Sequence, residues 1–164
     1  MSLQDDVIAD LKARFADRVL GEGSHVGQRW LDVKREGILD LLRACRDDHG
    51  CDVLMDLCGV DWLDKGMPER FCVVYELVNL KKAEHVRIKA WVPEDDPEID
   101  TASDLWKAAP WAEREVYDMY GLTFRGHGDL RRILLPDAYQ GHPLRKDYPL
   151  VGHGERQNFP RYGL

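Results

Sequence analysis

Glu113, Glu115, Asp118 and His127 are the side chains whose types and closeness could do chemistry: three carboxylates and an imidazole in one short stretch. Such a set can move protons or hold a divalent cation, and His142 and His153 follow downstream. The spacing speaks against both uses. A metal site needs ligands in close pairs on one rigid element, as in a His-x-x-x-His helix, and no such pair occurs here. His127 stands between Gly126 and Gly128, where an imidazole more often serves a turn or a contact. The residues therefore predict no catalytic group, no metal ligand and no cofactor contact in this chain. The opposite reading, a free-standing metal-dependent enzyme built on those four side chains, predicts tight divalent-metal binding by the isolated protein.

The stretch from Glu113 to Pro149 suggests a different use. Charge, turn formers and apolar residues alternate so closely that neither helical nor strand periodicity persists past Gly121. Residues 1–122 hold 16 basic and 26 acidic side chains, net −10, whereas residues 123–164 hold 7 basic and 4 acidic, net +3. A basic tail on an acidic body docks on something negative, either the body or a partner. The acidic balance excludes a general nucleic-acid binder, which needs Lys and Arg clustered on one face. Fixing the backbone of the 42 tail residues costs about 40–80 kcal/mol at about 1–2 kcal/mol each. Leu130, Ile133, Leu134 and Leu135 are among its few apolar residues, so the tail is expected to be largely mobile alone and ordered when docked. Arg131, Arg132, Arg145 and Lys146 are its expected polar anchors, since guanidinium forks pair bidentately with carboxylates. On the preceding helix Arg114 and Asp118 lie four apart on one face. Exposed, that pair is worth about 0.3–0.5 kcal/mol; buried under a partner, loss of one member costs about 3–5 kcal/mol.

The elements that must position these residues follow from periodicity. Leu3, Val7, Ile8, Leu11 and Phe15 recur at helical spacing, and the helix ends before Gly21 and Gly23. Gly21-Glu22-Gly23 lacks the Gly-Lys-Ser/Thr ending of a phosphate loop and reads as a linker. Trp30–Val33 is a short strand, and a second helix runs over 36–48 with Gly50 as its stop. Val53, Met55 and Leu57 alternate with acidic neighbours, Phe71–Val78 reads as a buried strand, and Val86, Ile88, Ala90 and Val92 mark a half-exposed partner. Pro93 to Pro97 ends the sheet, and helices are expected over 101–108 and 110–120. This order predicts an α+β fold: a two-layer domain over residues 1–122 with a mixed, mostly antiparallel sheet packed by helices, then an irregular extended C-terminal tail over 123–164. Cys45, Cys51, Cys58 and Cys72 form no Cys-x-x-Cys pair and are expected to pack reduced, as small hydrophobes. No apolar run reaches the roughly 18–20 residues that span a bilayer, and the acidic start has neither signal-peptide nor transit-peptide character.

The run Glu113-Arg114-Glu115, Asp118-Met119, Gly121, then Phe124, Gly126-His127, Asp129 to Asp137, and Gly141-His142-Pro143-Leu144-Arg145-Lys146-Asp147-Tyr148-Pro149 resembles the signature of the thirty-kilodalton subunit of respiratory complex I. Gly128 departs from it, standing where the family usually has Pro. The resemblance implies a subunit of proton-pumping NADH–quinone oxidoreductase without redox groups of its own: FMN, iron–sulfur clusters and quinone belong to partner subunits. It implies packing in the hydrophilic arm against the forty-nine-kilodalton subunit and the small iron–sulfur subunits, peripheral at the cytoplasmic face of a bacterial membrane, with the membrane reached only through the complex. The equivalent subunit of a membrane-bound nickel–iron hydrogenase or a plastoquinone-reducing complex is the alternative. The interface with such partners is expected on Glu113, Arg114, Glu115, Asp118, His127, Arg131, Arg132, His142, Arg145, Lys146 and Asp147.

Overall fold

The computed structural model describes residues 2–154. Ser2 opens helix α1 (Leu3–Arg14) with a reciprocal cap: its hydroxyl accepts the Asp5 N–H, and the Asp5 carboxylate accepts the Ser2 N–H. Two strands follow, β1 (Val19–His25) and β2 (Gln28–Lys34), then helix α2 (Ile38–Asp47). Strands β3 (Val53–Asp61), β4 (Phe71–Asn79) and β5 (Glu84–Val92) complete a five-stranded sheet in the order β1-β2-β5-β4-β3. β2 and β5 are parallel and the other pairs antiparallel, so the sheet is mixed and mostly antiparallel as expected.

Strand alternation puts one row of side chains under the helices. Leu31, Val33, Phe71, Val73, Tyr75, Leu77, Val86, Ile88 and Ala90 form that face, packed in one core with Val7, Ile8 and Leu11 of α1 and Ile38, Leu41 and Leu42 of α2. β6 (Glu98–Asp100) and β7 (Thr123–Arg125) form a separate parallel pair on either side of helix α3 (Ala109–Tyr120). The first three residues of the expected tail are therefore paired into the body. Residues 155–164 of the tail lie outside the described residues.

Four local expectations are corrected. Gly21-Glu22-Gly23 is part of β1, not a linker; a Cβ on Gly23 would stand 2.3 Å from the Trp30 ring, so glycine lets that indole lie across the strand. Met55 faces solvent because a register shift between Leu54 and Asp56 breaks the alternation, leaving Leu54 and Leu57 inward. Residues 101–108 form isolated turns rather than a helix: the Thr101 hydroxyl accepts the Ser103 N–H, a local bond that competes with helical pairing. Cys58 is exposed on β3, whereas Cys45, Cys51 and Cys72 are buried; all four are free thiols.

Candidate functional site: a strap over helix α3

Pro110 near the start of α3 needs no amide partner, and Gly121 ends the helix in the left-handed conformation, φ 73°. The last carbonyls of a helix have no partner within it. Here the chain beyond β7 returns to supply them. His142 Nδ1–H donates to the Asp118 carbonyl at 3.0 Å, the Leu144 N–H to the Met119 carbonyl at 3.2 Å, and Arg145 Nε–H to the Tyr120 carbonyl at 2.6 Å. The segment Gly141–Arg145 is thus the C-terminal cap of α3. Gly121 is required twice, since a Cβ there would also stand 2.5 Å from His142 Nε2. Burial, with Arg145 and Arg132 close by, holds the His142 pKa below its usual value against the pull of the Asp118 carbonyl.

Asp118 carries the near end of this strap. Its side chain is fully buried, and its carboxylate accepts the backbone N–H groups of Ile133, Leu134 and Leu135 at 3.0, 2.8 and 2.9 Å and Arg132 Nη1–H at 2.6 Å. Burial alone would raise its pKa; those four donors outweigh burial and lower it. Arg132 also reaches the Gly141 carbonyl, tying the two halves of the strap together. Arg114 does not pair with Asp118. It donates to the carbonyls of Arg131 and Arg132, both at 3.0 Å, so the expected i,i+4 pair is replaced by two separate hooks on the same segment.

The far end is held at Asp61, at the end of β3. Its buried carboxylate accepts the N–H groups of Leu63 and Lys146 and two bonds from Arg70, at 2.8–3.1 Å. Arg70 also pairs with Glu94 and Asp147, and its guanidinium lies 4.8 Å over Phe71. Burial raises the Asp61 pKa; Arg70 and the two backbone donors more than reverse this, and the pKa is lowered.

Glu113 lies at the opposite end of α3 and is fully buried. It accepts from the Thr101 hydroxyl and, at 2.6 Å, from the Ala102 N–H, so it anchors the turn after β6. His127 Nε2–H donates to the Pro110 carbonyl at 3.0 Å while Nδ1 accepts the Asp129 N–H, and Nε2 lies 4.0 Å from the Glu113 carboxylate. Burial raises the Glu113 pKa, opposed by Thr101, Ala102 and His127. A carboxyl whose folded pKa is raised holds its proton more tightly folded than unfolded. Stability therefore falls as pH rises above the ordinary glutamate value of about 4.3. Glu113→Gln should remove that component. In urea titrations the stability of the variant relative to wild type should climb with pH across this window; a constant difference would contradict the assignment.

The expected site residues divide accordingly. Asp118, Arg114, Arg132, His142 and Arg145 converge on the strap, Asp147 on Arg70 and the Lys146 backbone on Asp61, and Glu113 and His127 on the start of the helix. Glu115 is exposed, and the Arg131 side chain pairs at the surface with Asp129. Among the described residues no group of three or more His, Cys, Asp or Glu could hold a metal ion. Asp61 and Arg70 escaped the sequence reading; the inward series Leu57, Gly59, Asp61 on β3 was the available signal.

The sequence profile of the family described as the respiratory-chain NADH dehydrogenase 30 kDa subunit matches residues 31–154, the strap included. The chain belongs to that family. Two relatives are described as the C subunit of NADH-quinone oxidoreductase. That of Citrifermentans bemidjiense is 43% identical over 152 residues, and that of Geobacter sulfurreducens 42% over 152, each alignment covering 93% of both chains. Among solved structures, a trypsin-resistant fragment of Nqo5 superposes with a TM-score of 0.70 at 34% identity, covering 79% of this chain and all of that one. A chain of an archaeal membrane-bound sulfane sulfur reductase shares the fold, TM-score 0.73 at 21% identity over 98% of this chain and 95% of that one. As a family member the chain is a subunit of an oxidoreductase complex, and no helix among the described residues is long and apolar enough to cross a membrane.

Proposed function

We propose that this chain is a non-redox structural subunit in the hydrophilic arm of proton-pumping NADH–quinone oxidoreductase, supporting electron transfer from NADH to quinone by holding cofactor-bearing neighbours in place. One observation carries this reading. The strap is fastened to the body through its polar groups, and it presents Leu134 at 60% and Leu144 at 48% exposed, with Leu150 and Val151 open to solvent just beyond it. Apolar side chains ordered outward along one segment fit a neighbouring protein surface. The neighbours are the forty-nine-kilodalton subunit and the small iron–sulfur subunits; FMN, clusters and quinone reside in partners, and the membrane, at its cytoplasmic face, is reached through the complex.

Affinity purification from native membranes tests the proposal. The co-purifying chains should include an NADH-binding flavin subunit, and the lone chain should show no stoichiometric flavin or iron absorbance. Flavin or iron bound to the isolated chain overturns the non-redox role; a hydrogenase subunit in place of the flavin subunit assigns the same role to the other complex type.

A further inference from the structure

β3 is the last strand in the order β1-β2-β5-β4-β3 and is paired on one side only, with β4. Its outer row of N–H and C=O groups has no strand partner among the described residues, and an open edge of this kind is a template for strand addition. Beside it, β3, α3 and the strap enclose a shallow groove of about 310 Å³ lined by Leu54, Met55, Leu57, Trp111, Ala112 and Ile133. Met55 is 67% and Trp111 63% exposed, two large apolar side chains turned to solvent in one place. The β-bulge that turns Met55 outward interrupts the pairing with β4 at the groove itself. Asp56 and Glu115 line the same groove, both exposed and with no ion pair among the described residues.

We infer that this groove takes an extended segment of a neighbouring subunit, added to β3 as a sixth strand, with two apolar side chains against Met55 and Trp111 and Lys or Arg against Asp56 and Glu115. The inference rests on the assembly reading above and adds a second contact, separate from the exposed leucines of the strap. An open strand edge calls for a partner whose own backbone groups are free, which a helix, bonded within itself, does not offer. The groove lies at the small end of the roughly 300–1,000 Å³ range of binding pockets, room for a few side chains. A second copy pairing edge to edge fits poorly, because its β3 carries Asp56 and no Lys or Arg to meet the carboxylates of the groove.

The test uses the native complex and the isolated chain. Amides of Val53–Asp61 should exchange at least tenfold more slowly in the complex, and a photo-cross-linker placed at Met55 should join one segment that carries alternating apolar residues and Lys or Arg. Asp56→Lys combined with Glu115→Lys alters exposed side chains only. It should leave the melting of the lone chain unchanged and cut retention in the complex at moderate salt about tenfold. Unchanged β3 exchange in a complex that contains the chain, a cross-link to a second copy or to lipid, or full retention of the double variant overturns the inference while the assembly reading stands. Absence of the chain from any complex overturns both.

Discussion

Replacing Asp118 by Asn should release the strap while leaving the sheet intact. The carboxylate satisfies three consecutive backbone N–H groups and the Arg132 guanidinium from a fully buried position. Asparagine has the same shape, but its single oxygen serves fewer donors, and its NH2 group faces donors where an acceptor is needed. Removing one member of a buried pair costs about 3–5 kcal/mol, and each 1.4 kcal/mol is about tenfold in an equilibrium. Hydrogen exchange at the Ile133, Leu134 and Leu135 amides should therefore quicken about 10²- to 10⁴-fold, with the core amides of β4 little changed. The Asp118 pKa is lowered in the fold, so the wild-type clasp is complete above the ordinary aspartate value of about 3.9 and is lost as pH falls through the lowered value. The Asn variant should lack that acid-dependent step. Protection retained at all three amides would mean that the α3 carbonyls and Arg114 hold the strap without the carboxylate.

The sequence made the two partners of this contact visible without making the contact visible. The Glu-Arg-Glu helix and the Gly-His-Pro-Leu-Arg-Lys-Asp run stand out by composition, and a basic tail after an acidic body suggests docking. Yet spacing along a helix describes only local neighbours. It pairs Arg114 with Asp118, and has no means of showing that backbone groups 15–17 residues downstream outcompete Arg114 for that carboxylate. The expected mobility of the tail rested on its few apolar residues. Arg131–Asp147 also makes backbone and guanidinium hydrogen bonds to the helix end and to buried carboxylates, a contribution that hydrophobicity does not report. Helices α1, α2 and α3 and strand β5 were legible because each holds one period over nine or more residues, and β4 because its continuous apolar run reads as a strand buried on both faces. β1 was hidden by its glycines, β6 and β7 by their length of three residues, and the inward face of β3 by its bulge.

Arg70→Ala should lower the stability of the whole domain, because Arg70 serves Asp61, Glu94 and Asp147 at once while only 6% of its side chain is exposed. Truncation leaves the buried Asp61 carboxylate with the N–H groups of Leu63 and Lys146 alone. The expected cost is about 3–5 kcal/mol. At about 2–4 °C per kcal/mol for a chain of this size, Tm falls by about 6–20 °C. Arg131→Ala, which breaks only the exposed pair with Asp129, should leave Tm nearly unchanged, so the contrast separates buried from surface charge. The pH dependence has a definite sign. Arg70 is the main group lowering the Asp61 pKa against burial, so the ion pair stabilises the fold above the ordinary aspartate range and ceases to do so as pH falls and Asp61 gains a proton. The gap between wild type and Arg70→Ala should accordingly be widest near neutral pH and narrow in acid. A double-mutant cycle with Asp61→Asn isolates the pair: the second substitution should cost much less in the Arg70→Ala background than in wild type, since the charge it removes is already uncompensated there. Additive losses would show that Arg70 acts through Glu94 and Asp147 and through its contact with Phe71, with Asp61 held by backbone donors alone.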